Sequence, residues 1–533
     1  MAKHKPRPRR RPAPVAGNRE PALIPHVPVA LVVVLATLAA TLERWWFAGA
    51  WGESGSLTSA FYFGDATRFL DYAQAIVQGR SFDNGIPFHP PGWPLALAAV
   101  MTLAGSDGAV PVAAIKLVLA CTSGLTVGLA VLAAYEMAGA GAMLAVALLG
   151  TFSFGHVVQG AVANSESLYG LLALTTMWAM WRWLREGGRH PEAWAAMAGA
   201  AGACATLVRA EFLACAVFFM ALAWRSGAID RVRGTPRVIA VFLVAFTLGL
   251  LPTTVGHWQA LSSFNAAHVD DVAGPLPRFA PVTSYGPFNF AMANHEHADG
   301  GPNRDHPHLD QCDQAVDTAL TAGELDLACP AVYELYVRGY AIGLRWLLGH
   351  PGAAITLWWD KARMAMGFLA HGYFIDNLGA GVDGVRRRVD LVDPSSRWLL
   401  PVHTALLVAG VVLLWRQPIA LGVLAAPVGA LVASTLLFYG YVRLGVAYLP
   451  AIWILQGTAL ATLAHKLIGA HGADRRVIVS ALAALTFATG VEGVRARTPR
   501  SLAQDGARTA TGLLIEDETT NVRRVPRRQA SSP

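Results

Sequence analysis

The chain has 533 residues, of which 54% are hydrophobic and only 14% are charged. Soluble proteins carry about a quarter charged residues, so this composition excludes one large soluble core and indicates many membrane spans. Most of the net charge of +7 lies in basic tails, at residues 1–27 and 495–533. A basic run beside a first apolar segment fixes orientation more often than it binds nucleic acid, so we expect a cytoplasmic N-terminus and no nucleic-acid partner.

Apolar runs of membrane-spanning length recur along most of the chain. A bilayer core requires about 20 apolar residues per helix, and this criterion predicts an all-α polytopic membrane protein. The runs 93–105, 193–208 and 211–226 are short. They are partial spans, or the last two together form one long tilted helix over 193–226. The predicted spans are 28–47, 93–105, 110–134, 140–160, 165–184, 193–208, 211–226, 237–258, 398–416, 419–440, 443–464 and 476–494.

Polar stretches interrupt the spans, and charge predicts their side of the membrane. Short basic loops stay in the cytoplasm, which places the loop near Arg185 and the run from Arg225 to Arg237 inside. The first polar loop and a large central segment are then expected outside. The predicted organisation is a basic tail (1–27), an N-terminal transmembrane module (28–258) with an external loop (48–92), the central segment (259–397), C-terminal transmembrane helices (398–494) and a polar tail (495–533).

The five cysteines fall into two groups. Cys121, Cys204 and Cys215 lie in apolar runs, where a cysteine packs as a small apolar residue. Cys312 and Cys329 lie in the central segment, and an oxidising compartment there would favour a disulfide between them. The alternative is a pair of free thiols.

A helical stretch begins at Asp65, just beyond the first span. Asp65, Arg68, Phe69, Tyr72 and Ile76 fall on one face at helical spacing. That face is apolar with one acid and one base, as expected of a helix in the membrane interface. The carboxylate can take a proton from an acceptor hydroxyl, and the guanidinium can hold a phosphate. Alternatively, both charges simply face water.

Two further motifs open helices. Pro90 and Pro91 force an extended start to the next helix, and His89 before them either contacts a phosphate or metal or only belongs to this turn. Ser165 is a candidate N-cap, which places Glu166 in a first turn where the helix dipole favours an acid. The functional alternative is an acid that projects into an external cavity.

Arginines occur at two other junctions between apolar runs. Charges at membrane depth are costly and usually face a cavity or a partner. Arg209 is therefore a candidate phosphate ligand, and a mutual pair with Glu211 is the alternative. Arg443, between two late spans, either snorkels to the interface or contacts a lipid phosphate.

A histidine cluster occurs in the central segment. His295, His297, His306 and His308 lie in a stretch rich in Gly, Pro and Asp that is typical of a loop. Their spacing matches no closed metal site, so we predict no metal there.

In this order, the motifs resemble the polytopic GT-C glycosyltransferases, in particular the bacterial relatives of protein O-mannosyltransferases and aminoarabinose transferases. Around Arg209, Val208 stands where the family usually has Thr and Ala210 where it usually has Pro. The segment 259–345 matches no part of the family pattern. The similar segments are GDATRFLDYAQAIVQGR, FHPPGWPLALAAV, NSESLYGLLALTT, TLVRAEFLACAV, HPGAAITLWWDKARMAMGF and YVRLGVAYLPAIWIL.

The resemblance implies a GT-C-like bundle of about eleven to thirteen transmembrane helices in the inner (plasma) membrane. It also implies external juxtamembrane helices, one of them an interfacial helix near 351–371, and a periplasmic segment. The active site would face the periplasm. The implied substrates are a polyprenyl-phosphate sugar donor in the lipid bilayer and a protein, lipid or glycan acceptor.

The resemblance also implies residue roles. Asp65 would deprotonate or orient the acceptor hydroxyl, which attacks the anomeric carbon with inversion. Arg68, Arg209 and Arg443 would hold the leaving phosphate, whose developing charge they neutralise. Some relatives use a divalent metal; the first loop lacks paired acids beside Asp65, so we predict no cofactor and leave a divalent metal open. The remaining cavity or helper residues are Tyr72, His89, Glu166 and Glu211.

Two other functions are compatible with charges at cavity depth. One is a transporter or flippase of lipid-linked sugars, and the other is a catalytically inactive scaffold. A transporter is expected to show internal repeats and charges in the middle of spans. Here no repeat is visible and the charges cluster at helix ends, which favours the enzyme.

Overall fold

The structure, a computed structural model, describes residues 28–50, 65–106, 109–185, 190–225, 235–268, 274–301, 306–312, 321–322, 325–370, 400–440 and 442–471. Within these ranges the chain forms seventeen α-helices, three short 3-10 helices and one two-stranded hairpin. The prediction of an all-α protein is therefore confirmed. The predicted span 476–494 and both tails lie outside the described residues.

The helices follow the apolar runs of the sequence. They are α1 (Val29–Ala50), α2 (Asp65–Val77), α3 (Gly92–Leu103), α4 (Val112–Ala138), α5 (Ala140–Phe152), α6 (Phe154–Gln159), α7 (Glu166–Leu184), α8 (Pro191–Val208), α9 (Phe212–Arg225), α10 (Thr235–Ala267), α11 (Gly286–Met292), α12 (Pro330–Gly349), α13 (Pro351–Ala365), α14 (Leu400–Leu414), α15 (Pro418–Leu437), α16 (Val442–Val446) and α17 (Leu449–His471). The 3-10 helices are Asp83–Gly85, Pro307–Gln311 and Met366–Ala370, and β1 (Thr321–Ala322) pairs antiparallel with β2 (Leu325–Asp326).

Among the described residues, four helices are long and apolar enough to cross a bilayer. They are α1, α4, α10 and α15, so the prediction of a polytopic membrane protein is confirmed. Large apolar side chains on the outside of the bundle, such as Leu35 and Leu38 on α1, stay exposed because lipid rather than water is their solvent. The predicted total of eleven to thirteen spans stays a prediction.

Small residues let the membrane helices approach closely. Gly124 and Gly128 of α4 lie against Thr41 and Thr37 of α1. Small residues at helix interfaces are typical of membrane bundles, where backbone proximity increases van der Waals contact. The result is a tightly packed N-terminal bundle around the buried helix α4.

Two predicted spans are broken. The run 140–160 divides at Ser153 into α5 and α6, and the guanidinium of the fully buried Arg44 accounts for the break. It donates to the carbonyls of Gly150 (2.8 Å) and Thr151 (3.1 Å), which are left unpaired where α5 ends. The run 443–464 likewise divides into the short α16 and α17.

The segment 193–226 forms two helices, so the alternative of one long tilted helix is wrong. The helices α8 and α9 separate at Arg209, whose backbone is extended (φ −149°, ψ 116°). This break leaves Arg209 just beyond the last residue of α8, outside the regular helix.

The central segment has its own apolar core. Ile86 and Phe88 from the first loop pack there with Leu261, Leu276 and Leu335. Helix α13 and the 3-10 helix after it lie where the sequence predicts an interfacial helix. The first loop and the central segment are thus packed together and enclose the space between them and the bundle.

Candidate functional site

A cavity of about 940 Å³ lies between the start of α2, the ends of α7, α8 and α15, and the central segment. Its wall combines charged and aromatic side chains, a composition that suits a ligand with both an anionic and a ring-shaped part. Its charged lining residues are Asp65, Arg68, Arg209, Glu211, Asp326 and Arg443, and its aromatic ones include Phe69, Phe88, His89, Tyr285, Tyr336, Tyr340 and Phe438.

Five residues form a line of alternating charge at this cavity, which we call the charge chain. Arg443 Nη2 lies 2.5 Å from Asp65 Oδ2, and Arg443 Nε lies 3.0 Å from Glu166 Oε1. Arg209 Nη1 lies 2.8 Å from the same Glu166 oxygen, and its Nε lies 3.0 Å from Glu211 Oε1. The fold therefore joins four sequence motifs, of which the first and last are 378 residues apart.

Helix ends place the members of the charge chain. Asp65 is the first residue of α2 and Glu166 the first of α7, where the positive end of each helix dipole favours a carboxylate. Arg209 follows α8 directly, and Arg443 lies in the first turn of α16. Because these ends meet at one level, acids and arginines far apart in sequence come together.

Asp65 is held in its ionised form. Desolvation opposes ionisation, but the charge and hydrogen bond of Arg443 outweigh it and, with the charges of Arg68 and His89, lower the pKa of Asp65 to about 2. The side chain is 50% exposed and lies on the cavity wall. A carboxylate of such low pKa is a weak base for as long as Arg443 stays bound to it.

The prediction that Ser165 caps α7 is wrong in its detail. Ser165 directly precedes the helix, but its hydroxyl makes no capping hydrogen bond. It accepts a hydrogen bond from Arg209 Nη1 at 3.1 Å instead. The hydroxyl thus pairs with a member of the charge chain, because the guanidinium is a stronger donor than a backbone N–H.

Tyr72 and His89 meet at a residue that the sequence did not single out. The Tyr72 hydroxyl donates to Asp83 Oδ1 at 2.6 Å, and His89 Nδ1 lies 2.7 Å from Asp83 Oδ2. Burial, followed by the Asp83 charge, raises the pKa of Tyr72 above its usual range, so the phenol stays protonated. Asp83 opens the sequence Asp-Asn-Gly, which signals a turn and gives no sign of chemistry.

Tyr285 lines the cavity and, like Asp83, carries no sequence signal. Its ring lies 6.0 Å from that of His89 and 5.4 Å from that of Phe88, measured between centroids. Burial raises the pKa of Tyr285 to about 12, so its hydroxyl remains a hydrogen-bond donor. Together the rings of Tyr285, His89 and Phe88 form an aromatic wall of the cavity.

The other predicted groups lie away from the charge chain. Cys312 and Cys329 form a disulfide with a Cα–Cα distance of 5.8 Å, and Cys312 lines the cavity. The ring centroids of His295 and His306 lie 4.7 Å apart with the rings tilted by 52°, and burial lowers the pKa of His306 to about 4. Among the described residues no group of three or more His, Cys, Asp or Glu is placed to hold a metal ion, and the prediction of no metal stays a prediction.

The solved structures that are similar to this chain include two crystal structures of ArnT from Cupriavidus metallidurans. The apo form is 15% identical with a TM-score of 0.34, over 82% of this chain and 79% of that chain. The form bound to undecaprenyl phosphate is 14% identical with a TM-score of 0.34, over 81% of this chain and 78% of that chain. No protein-family profile matches the chain, and no curated protein sequence matches it.

Proposed function

We propose that this protein is an inverting membrane glycosyltransferase. It moves a sugar from a polyprenyl-phosphate donor to a hydroxyl acceptor at the periplasmic face of the inner membrane. The observation that carries the proposal is the charge chain on the cavity wall, where Asp65 is bonded to Arg443 and Arg209 lies one carboxylate further along. An acid beside arginines, at the ends of membrane helices, suits a reaction in which one substrate gives up a proton and the other releases its sugar from a phosphate leaving group.

The cavity wall supports a lipid donor. Apolar side chains from the membrane helices α9 and α15 line it, among them Leu213 (39% exposed) and Leu437 (48% exposed). Apolar surface that continues from the cavity onto membrane helices suits a polyprenyl tail, which stays in lipid while its phosphate reaches the arginines. Guanidinium groups bind phosphate oxygens in paired hydrogen bonds.

The chemistry then follows from the positions of the charges. Asp65 takes the proton of the acceptor hydroxyl while the acceptor oxygen bonds to the anomeric carbon. The bond from that carbon to the phosphate oxygen breaks, and its electron pair stays on the phosphate. One such displacement inverts the anomeric carbon. Arg209, Arg443 and Arg68 supply the positive charge that the leaving phosphate requires, so the proposal includes no cofactor.

The aromatic wall supports a sugar-binding role for the rest of the cavity. The rings of Tyr285, His89 and Phe88 stand in contact with one another and line the cavity. Flat apolar ring faces pack against the C–H faces of a pyranose, and the tyrosine hydroxyl adds a polar contact that fixes orientation.

Enzyme and transporter are separated by following the label of a radioactive donor. The purified protein is placed in liposomes with polyprenyl-phosphate [14C]mannose on one side and a delipidated cell-envelope fraction as acceptor source. We expect free polyprenyl phosphate together with label on an acceptor. Label that crosses the liposome membrane while still attached to its lipid would establish a flippase and refute the proposal.

A further inference from the structure

We propose that the Arg443 guanidinium exchanges its salt bridge with Asp65 for one with the leaving phosphate during the reaction. The guanidinium would thereby couple proton uptake by the base to charge development on the leaving group. This inference rests on the proposed function and adds to it a reason why the base, Asp65, forms a salt bridge with the phosphate-binding residue Arg443.

The contacts of Arg443 set up this exchange. Its Nη2 lies 2.5 Å from Asp65 and its Nε 3.0 Å from Glu166. Glu166 is buried, with a side chain that is 1% exposed, whereas the Asp65 side chain is 50% exposed on the cavity wall. A phosphate that arrives from the cavity therefore competes with Asp65 for the guanidinium, while Glu166 keeps it in place.

The charges balance at each stage. The charge chain contains three carboxylates and two guanidiniums, a sum of −1 when all are ionised. Transfer converts a phosphodiester with one negative charge into a monoester with two. The acceptor proton simultaneously converts Asp65 from −1 to neutral. Around Arg443 the total charge is unchanged, so the guanidinium exchanges one anion for another without passing through an unpaired state.

Other charged and titratable groups also face Asp65. Arg68 lies on the same helix, His89 lies near the end of the first loop, and burial and, less strongly, the Asp65 charge raise the pKa values of the Tyr72 and Tyr285 hydroxyls. The hydrogen bond that holds the carboxylate comes from Arg443. When Arg443 moves away, the ionised form of Asp65 loses its strongest stabilising contact and the carboxylate becomes a better base. This happens at the stage when negative charge develops on the leaving phosphate.

The test is binding of the product, a C55 polyprenyl monophosphate, to protein in uncharged nanodiscs. Asp65→Asn preserves the shape of the side chain but removes the negative charge that forms the salt bridge with Arg443. We expect this variant to lose turnover yet bind the monophosphate roughly tenfold more tightly than the wild type. Asp71→Asn, an exposed carboxylate on the same helix, is the matched control and should leave the affinity unchanged.

A second measurement uses the wild type, so the test does not depend on any variant folding. Calorimetry in two buffers of different ionisation enthalpy should detect proton uptake when the monophosphate binds at pH 7.5, and the uptake should be smaller in Asp65→Asn. Equal affinity in wild type and Asp65→Asn, or no proton uptake, would overturn the proposed exchange of Arg443 but would leave the proposed function standing. A wild type that does not prefer the monophosphate to the uncharged polyprenol would overturn the proposed function as well.

Discussion

Replacing Arg209 by Ala should weaken both folding and donor binding. Arg209 donates to Ser165 (3.1 Å), to Glu166 (2.8 Å) and twice to Glu211 (3.0 and 3.3 Å). Removing one partner of a buried ion pair costs about 3 to 5 kcal/mol, because the remaining charge is left uncompensated. Glu166 keeps Arg443, and Glu211 is 18% exposed, so the lower end, about 3 kcal/mol, applies here.

The assay pairs thermal unfolding in nanodiscs with binding of polyprenyl-phosphate mannose. Donor affinity should fall by at least roughly tenfold, since a charged hydrogen bond to phosphate is lost. Arg182→Ala is the matched control: Arg182 pairs with Glu136 at 2.6 Å outside the cavity, so its loss should lower stability without changing donor affinity. An Arg209→Ala protein with unchanged melting temperature and unchanged affinity would refute this reasoning.

Three further predictions concern the central segment and the orientation of the chain. Burial lowers the pKa of Lys361 from 10.5 to about 7, so the unfolded chain binds more protons between these values. The free energy of unfolding should therefore rise with pH across that window, and Lys361→Met should abolish the rise in pH-dependent melting curves. The disulfide between Cys312 and Cys329 stabilises the fold by about 3 kcal/mol in the chain-entropy model. Because disulfide-bonded sulfurs do not react with an alkylating reagent, mass spectrometry after alkylation without reductant should find both cysteines unmodified, and two alkylated thiols would contradict this. An impermeant thiol reagent should label Glu296→Cys in intact cells but label Arg416→Cys, on the opposite turn between α14 and α15, only after lysis; the reverse pattern would invert the topology.

The sequence predicts the helices well because each apolar run carries its own signal. It predicts their breaks less well, because these depend on distant residues. The break after α5 requires Arg44 from α1 to bind the carbonyls of Gly150 and Thr151. No local feature of the run 140–160 indicates such a partner, so the apolar pattern predicts one helix that continues through the break.

The candidate site shows the same division. Acids and arginines at helix ends could be singled out one by one, since charge is rare and costly in such a chain. Their pairing could not, because Asp65 and Arg443 belong to motifs 378 residues apart. Asp83 could not be predicted as a site residue because its turn sequence explains it fully without any chemistry. Tyr285 could not be predicted because an aromatic residue in a polar segment carries no specific signal.

The central claim is tested most directly by the turnover of Asp65→Asn with polyprenyl-phosphate [14C]mannose. If Asp65 is the base, sugar release should fall by roughly a hundredfold or more, the usual contribution of such a group, while the donor still binds. Asp71→Asn should retain wild-type turnover. An Asp65→Asn protein with normal turnover would remove Asp65 from the mechanism and contradict the account.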